Sequence, residues 1–289
     1  MERLTSPRVI KEIVSKYGFK FTKSLGQNFL VDENILHKIV DGAEITKEDV
    51  VFEIGPGIGT LTQALAERAK KVVAVEIDKT LLPILDKTLS EYNNIEVING
   101  DILKIDISQL IEEQSPHRPI KVIANLPYYV TTPIIMKFLE EKLPVNNMVV
   151  MIQKEVADRM QARPGTKDYG SLSLAVQYYC EPKIITMVPK TVFIPQPNVE
   201  STVIKLEILK NPRVYVKDEK LLFNIIRAAF GKRRKTLLNA LANSNLGFDK
   251  DMIKEVLQKY GIKEERRGET LNLEEYALLA DGFLKQKLI

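Results

Sequence analysis

One cysteine and two histidines in 289 residues rule out several kinds of chemistry. With Cys180 alone, no intrachain disulfide can close and no cysteine-based zinc site can assemble; a small core residue is its simplest role. His37 and His117 are too few for a histidine metal centre and give poor support to a Ser-His triad, so no metal is expected. No apolar run approaches the ~20 residues needed to span a bilayer. The opening Met1-Glu2-Arg3-Leu4-Thr5-Ser6-Pro7 has no apolar segment of the signal-peptide kind. These absences make a cytoplasmic protein without membrane association the expectation. No self-complementary apolar face stands out either, so a monomer is expected.

What is present looks ordinary in bulk. Apolar residues make up 45% and charged residues 28%, as in a globular protein with one large core and room for a smaller domain. The net charge of +4 is unevenly spread. Residues 1–30 carry 6 Lys/Arg against 2 Asp/Glu, and residues 210–289 carry 17 against 11, which leaves the middle acidic. Basic ends around an acidic core suit a polyanion held by the flanks of the molecule, although solvated helix faces give the same imbalance.

The chain is organised around Val50-Val51-Phe52-Glu53-Ile54-Gly55-Pro56-Gly57-Ile58-Gly59-Thr60. Its first five residues, apolar and largely β-branched apart from Glu53, read as a buried central strand. Three alternate glycines allow a sharp turn and close approach of a ligand. Thr60 and the spacing of Leu61, Leu65 and Ala69 then start an amphipathic helix. A tight turn without ligand has the same pattern. However, Lys71–Glu76 reads as a second buried strand that ends in an acid, twenty-one residues after Gly55. A βαβ unit places such a carboxylate on ribose hydroxyls. The GxGxG spacing favours S-adenosylmethionine (SAM) over a dinucleotide, because SAM has no pyrophosphate to seat on the helix.

Strand and helix patterns alternate onward. Strands are predicted at Ile95–Asn99 and Lys121–Ala124, and helices over Thr80–Glu91 and near Ser108–Glu113. This predicts an α/β fold with a Rossmann-like, doubly wound parallel sheet. Asn99-Gly100-Asp101 ends the third strand, where Asp101 could take the exocyclic amine of an adenine or simply cap a turn. Further on, Lys183–Val188 and Ser201–Ile208 are predicted to close the sheet as an antiparallel pair. Lys210-Asn211-Pro212 marks a boundary between a catalytic domain over 1–209, with a basic N-terminal extension, and an all-helical domain over 210–289. Near the start, Phe19–Leu30 alternates aromatics with basic and small polar residues, including Lys20 and Lys23. It reads as an exposed loop that touches nucleic acid and folds over the cofactor, or as a plain loop with Phe19 and Phe29 tucked into the core.

The fourth strand ends in Asn125-Leu126-Pro127-Tyr128, beside the glycine loop at the carboxyl edge of the sheet. This composition suits methyl transfer to an aromatic amine such as adenine N6, whose lone pair is delocalised into the ring. The Asn125 amide oxygen and the Leu126 carbonyl can accept the amine's hydrogens, with Pro127 fixing the backbone and Tyr128 stacking on the base. A rigid turn after a strand would also fit these residues taken alone. Toward the C-terminus, Lys232, Arg233, Arg234 and Lys235 are predicted at a helix start, with Arg266 and Arg267 as a second basic cluster; either could bind RNA or be a solvated face.

Taken together, Gln27-Asn28-Phe29-Leu30, Glu53–Gly59, Glu76-Ile77-Asp78, Gly100-Asp101, Asn125–Tyr128, Phe193–Ser201 and Phe230–Leu237 resemble the ribosomal RNA adenine N6,N6-dimethyltransferase family along almost the whole chain. The small-subunit, kasugamycin-resistance type is the nearer match. The loop Lys167–Ser171, Pro195-Gln196-Pro197-Asn198 and the Gly-Lys-Arg-Arg-Lys run separate it from the large-subunit antibiotic-resistance enzymes. The resemblance implies SAM contacts from Asn28, Leu30, Gly55, Glu76, Asp101 and Asn125, with Gly57 in the same loop. It implies that Asn125, Leu126 and Tyr128 present the amine and that Phe193 supplies a second face for the base. The implied substrate is a pair of adjacent adenosines in the hairpin loop near the 3′ end of 16S rRNA, within the small subunit or its precursor, each methylated twice.

Three rivals remain at this point: the large-subunit enzyme class, a nucleic-acid-binding factor that keeps the fold without catalysis, and a nicotinamide-dependent oxidoreductase. The intact Asn125–Tyr128 motif argues against the second, and the glycine spacing and scarce histidines against the third.

Overall fold

A computed structural model describes residues 4–22, 25–232 and 234–287, with Lys287 known by its backbone alone. Lys23 and Arg233, both expected to meet RNA, lie outside the described residues. In chain order the elements are α1 (Pro7–Lys16), β1 (Phe29–Leu30), α2 (Glu33–Gly42), β2 (Val50–Ile54), α3 (Thr60–Arg68), β3 (Lys71–Glu76), α4 (Leu82–Thr88), β4 (Ile95–Asn99), α5 (Ile107–Gln114) and β5 (Ile120–Asn125). They continue with α6 (Thr131–Glu140), β6 (Val145–Gln153), α7 (Lys154–Gln161), α8 (Ser171–Tyr179), β7 (Cys180–Val188), β8 (Phe193–Ile194) and β9 (Ser201–Ile208). Four helices follow: α9 (Glu219–Gly231), α10 (Leu237–Ala242), α11 (Lys250–Lys259) and α12 (Leu273–Lys287).

Seven strands form one sheet in the order β4-β3-β2-β5-β6-β9-β7. Strands β4, β3, β2, β5 and β6 are parallel, and β9 runs antiparallel to β6. The chain steps outward from β2 to β3 and β4, then returns to the other side of β2 with β5. Strand order therefore reverses between β2 and β5, and ligands of open α/β sheets bind at the carboxyl edge of such a reversal. β2 is buried throughout and β5 at all but its last residue, Asn125, as parallel strands covered by helices on both faces must be. One core cluster joins Leu36, Ile39 and Val40 of α2 to Leu65 of α3 and Val149 of β6. A second joins Ile10 of α1, Phe19 and Phe29 to Leu81, Ile84 and Leu85.

The loop expected between Phe19 and Leu30 is only partly a loop. Phe29 and Leu30 pair antiparallel with Ile194 and Phe193 as the ribbon β1–β8, and Phe19, Phe21 and Phe29 pack ring to ring at 5.3–5.9 Å. Both Phe19 and Phe29 are buried.

The chain divides into two compact units, residues 1–157 with 182–208, and residues 158–181 with 209–289. The division expected from the sequence, at 209/210, leaves 158–181 with the first. The reason lies in α8: Tyr178 and Tyr179 pack against Phe223 of α9 at 5.3 and 5.9 Å between ring centroids. Within this unit Phe248 stacks on Phe283 of α12 at 4.4 Å, and the Tyr169 hydroxyl donates to the Leu271 carbonyl at 2.9 Å. The helix predicted to start at the basic run begins instead at Leu237, because Thr236 is its N-cap and takes the Asn239 N–H. Lys232, Arg234 and Lys235 thus sit between α9 and α10.

Candidate functional site

A cleft opens at the carboxyl ends of β2, β3 and β5. It holds about 760 Å³ of space between protein atoms, part of it open to solvent, within the range of cofactor sites. Asn28, Leu30, Gly55, Gly57, Glu76 and Asn125 all line it. Asp101 lines an adjoining cavity with Ile102, Leu103 and Tyr129; the two share Gly55, Ile77 and Pro127.

The glycine turn has φ of +70° at Gly55, +60° at Gly57 and +92° at Gly59, a region that disfavours side chains. Space separates their roles further. A Cβ on Gly57 would lie 3.1 Å from the Phe29 ring, and one on Gly59 2.9 Å from Leu89, whereas one on Gly55 would meet nothing within 4 Å. Gly55 thus leaves open space over its backbone, whereas Gly57 and Gly59 let the Phe29 ring and Leu89 pack against the turn.

Two acids sit deep in the cleft. Burial pushes the Glu53 carboxyl up to about 8, against the opposing effect of the Thr62 hydroxyl, and the nearby Glu76 adds to the rise. Burial also pushes Glu76 up to about 7, against the opposing effect of N–H groups from Asp78 and Gly57, which donate at 2.7 and 3.3 Å. Asp78 continues the chain of contacts: it accepts from the Gln27 side-chain amide at 2.6 Å, and the Gln27 carbonyl oxygen accepts the Thr22 N–H at 2.8 Å. The acid strand and the N-terminal segment are thus stitched together by Gln27 and Asp78. Neither stood out in the sequence as a bridging residue; the only signal was their presence in the two motifs.

Of the two roles that the sequence left open for Asp101, the turn contact is visible in the structure. Its Oδ1 accepts the Leu103 N–H at 3.0 Å, as a turn residue does, while its Oδ2 faces the exposed Lys104 at 3.5 Å.

At the end of β5 the Asn125 amide donates to the Asn28 carbonyl at 2.9 Å. The Leu126 N–H donates to Met151 O at 3.1 Å, and both the Val130 N–H (3.2 Å) and the Thr131 hydroxyl (3.1 Å) donate to the Pro127 carbonyl. Asn125 Oδ1 and the Leu126 carbonyl accept no hydrogen bond from any described residue. These are the two acceptors an amine would need. Tyr128 is half-buried, does not line the cleft, and places its hydroxyl 2.7 Å from Ser201 Oγ. Burial raises this phenol above its ordinary range, so it stays protonated.

Phe193 differs from expectation. Its ring is 2% exposed and packs in the core with Leu30 and Leu36, because pairing of β8 with β1 turns it inward. It offers no open face to a base.

Lys20, Lys232, Arg234, Lys235 and Arg267 are exposed. Arg266 is not comparable with them: it forks onto both Glu275 oxygens and donates to the Thr270 carbonyl at 2.7 Å. Burial opposes ionisation of Glu275, yet Arg266 and the Asn272 N–H outweigh it and hold the carboxyl below its ordinary range. The donors of Arg266 are used inside the protein, while the neighbouring Arg267 is exposed. His37 and His117 line neither cavity. Among the described residues no cluster of three or more His, Cys, Asp or Glu could hold a metal, and no helix is long and apolar enough to cross a membrane.

The family model described as ribosomal RNA adenine dimethylase matches residues 18–278. The chain is 64% identical to ribosomal RNA small subunit methyltransferase A of Alkaliphilus oremlandii, over 99% of this chain and all of that one. It is 55% identical to the protein of the same name from Bacillus mycoides, over the full length of both. Among solved structures, a dimethyladenosine transferase from Plasmodium falciparum superposes with a TM-score of 0.77 at 28% identity, covering 90% of this chain and 98% of that one. The 23S rRNA methyltransferase ErmE superposes with a TM-score of 0.67 at 25% identity, covering 88% and 99%.

Proposed function

The chain belongs to the ribosomal RNA adenine dimethylase family, and from that premise we propose that it dimethylates N6 of two adjacent adenosines in the 3′-terminal hairpin loop of 16S rRNA. SAM is the methyl donor and small-subunit biogenesis the setting, which puts the protein in the cytoplasm. The protein acts as a monomer, through a catalytic domain that carries the cleft and a helical domain that holds RNA.

The cleft fits the donor. Glu53 and Thr60 line it, and each keeps a buried side-chain oxygen without a partner among the described residues, which a polar ligand can satisfy. Asn28, Leu30, Gly55, Gly57, Glu76 and Asn125, with Asp101 next door, are the residues that would hold it. Bound there, SAM supplies an electrophilic methyl group.

The protein's own task is the amine. Asn125 Oδ1 and the Leu126 carbonyl accept its two hydrogens and draw the nitrogen toward sp3 geometry, so that its lone pair is free to attack. Pro127 holds the Leu126 carbonyl in place, and Tyr128 stacks on the base, which must first leave its own stack. No side chain takes a proton before transfer, in keeping with the protonated Tyr128 and with histidines away from the cleft. After the methyl has arrived the nitrogen is cationic and gives its proton to solvent water. Lys20, Lys232, Arg234, Lys235 and Arg267 bind phosphates, with Lys23 and Arg233 expected to join them.

The single observation that carries this reading is the pair of open acceptors at Asn125 and Leu126 beside the cleft. The test supplies labelled SAM with undermethylated small subunits, large-subunit rRNA and free duplex in separate reactions. Label is expected in the small-subunit 3′ hairpin, as dimethyladenosine. Label only in large-subunit rRNA would transfer the protein to the other enzyme class, and label in none would remove the catalytic claim.

A further inference from the structure

Tyr128 is fixed at both ends. Its backbone follows Pro127, whose carbonyl accepts two hydrogen bonds from the start of α6, and its hydroxyl meets Ser201 Oγ at 2.7 Å. Ser201 is fully buried and opens β9, opposite Gln153 at the end of β6. Two positions before Gln153, Met151 takes the Leu126 N–H at 3.1 Å. Strand β6 and its neighbour β9 therefore supply two anchors to the short run from Asn125 to Tyr128: one on the backbone, one on the far end of the ring. A phenol tethered at its oxygen cannot swing about χ1, and a flip about its long axis leaves the ring plane unchanged.

We propose that Ser201 is a positioning residue for base methylation, its hydroxyl setting the plane in which the Tyr128 ring meets the target base. This rests on Tyr128 being the base platform. The logic is geometric. A stacked base lies parallel to the ring, so tilting the ring tilts the amine away from the two acceptors at Asn125 and Leu126. Errors of this kind act on turnover more than on binding. Ser201 lies in neither cavity, so donor affinity is not its concern.

The experiment is a double-mutant cycle on Ser201→Ala and Tyr128→Phe, with Tyr128→Ala and Ser201→Thr beside it. The readouts are single-turnover rate on undermethylated small subunits, SAM affinity by calorimetry and thermal unfolding. Each of Ser201→Ala and Tyr128→Phe is expected to slow transfer by roughly three- to tenfold, the worth of one hydrogen bond. The double variant should be no slower than either, SAM affinity should be unchanged, and Ser201→Thr should recover rate. Wild-type rates in Ser201→Ala and Tyr128→Phe, or losses that simply multiply, overturn the proposal. If those two are normal while Tyr128→Ala is inactive, the platform stands and the Ser201 role falls. If Tyr128→Ala is fully active, the platform itself falls. Should Ser201→Ala fail to fold, Tyr128→Phe removes the same bond from the other side and decides alone.

Discussion

The Asn125 side chain donates its amide hydrogen to the main-chain carbonyl of Asn28, ninety-seven residues earlier, at 2.9 Å. A carbonyl can only accept, so this bond settles which end of the Asn125 amide is nitrogen and leaves Oδ1 as the open acceptor. The N-terminal segment thereby orients the group at the centre of the proposed chemistry. Asn125→Ala is expected to keep much of the SAM affinity and lose about a hundredfold in transfer rate, the scale of removing one preorganised polar group. Asn125→Asp should be no better, since a carboxylate would face the Asn28 carbonyl acceptor to acceptor. Single-turnover rates check both; full activity of either variant contradicts amine positioning by Asn125.

Gly55 and Gly57 predict contrasting losses. Alanine at either position is strained by roughly 1–2 kcal/mol at positive φ. At Gly57 the new methyl also meets the Phe29 ring at 3.1 Å, so Gly57→Ala should unfold at a lower temperature than Gly55→Ala. The Gly55 methyl would enter open space, so Gly55→Ala should show its larger defect in SAM titrations. Melting curves and calorimetry on the two variants separate the effects; equal melting points would contradict the close Phe29 contact.

Glu53 predicts a pH slope. Its carboxyl is held near 8 in the folded protein against an ordinary 4.5. Between those values the folded state keeps a proton that the unfolded chain has released, so stability falls as pH rises through that window. Glu53→Gln removes the titration. Without ligand it should melt higher than the parent at pH 8.5, by an amount on the order of a few kcal/mol, with the gap shrinking toward pH 5. Parallel melting curves across that range would show that Glu53 is not protonated at neutral pH.

Arg266 and Arg267 are adjacent in sequence and opposite in expected behaviour. Arg266→Ala breaks the fork onto Glu275 and the bond to Thr270, and should cost about 1–3 kcal/mol of stability. Arg267→Ala should leave melting unchanged, weaken RNA binding and lower the salt slope of log affinity by about one. RNA binding over a salt series, beside thermal unfolding, reads both; an unchanged salt slope for Arg267→Ala removes that phosphate contact.

The cleft and its helices followed from local rules. Strands β2, β3 and β5 were legible because parallel strands covered on both faces are continuous apolar runs, and the glycine turn because alternate glycines permit positive φ whatever surrounds them. Lys232, Arg234 and Lys235 were legible as charge, though not as residues ahead of a helix, since Thr236 caps a helix that propensity alone would start earlier. Tertiary structure decided the rest. A two-residue strand such as Phe29–Leu30 has no periodicity to read, and only its pairing with Ile194 and Phe193 turns Phe193 inward. Composition could not tell the Arg266 guanidinium, taken by Glu275, from the exposed one at Arg267. The orientation of Asn125 is the sharpest case. The residue type and its place at a strand end were in the sequence, but an amide has two nearly equivalent ways to lie, and only a carbonyl brought from ninety-seven residues earlier selects one.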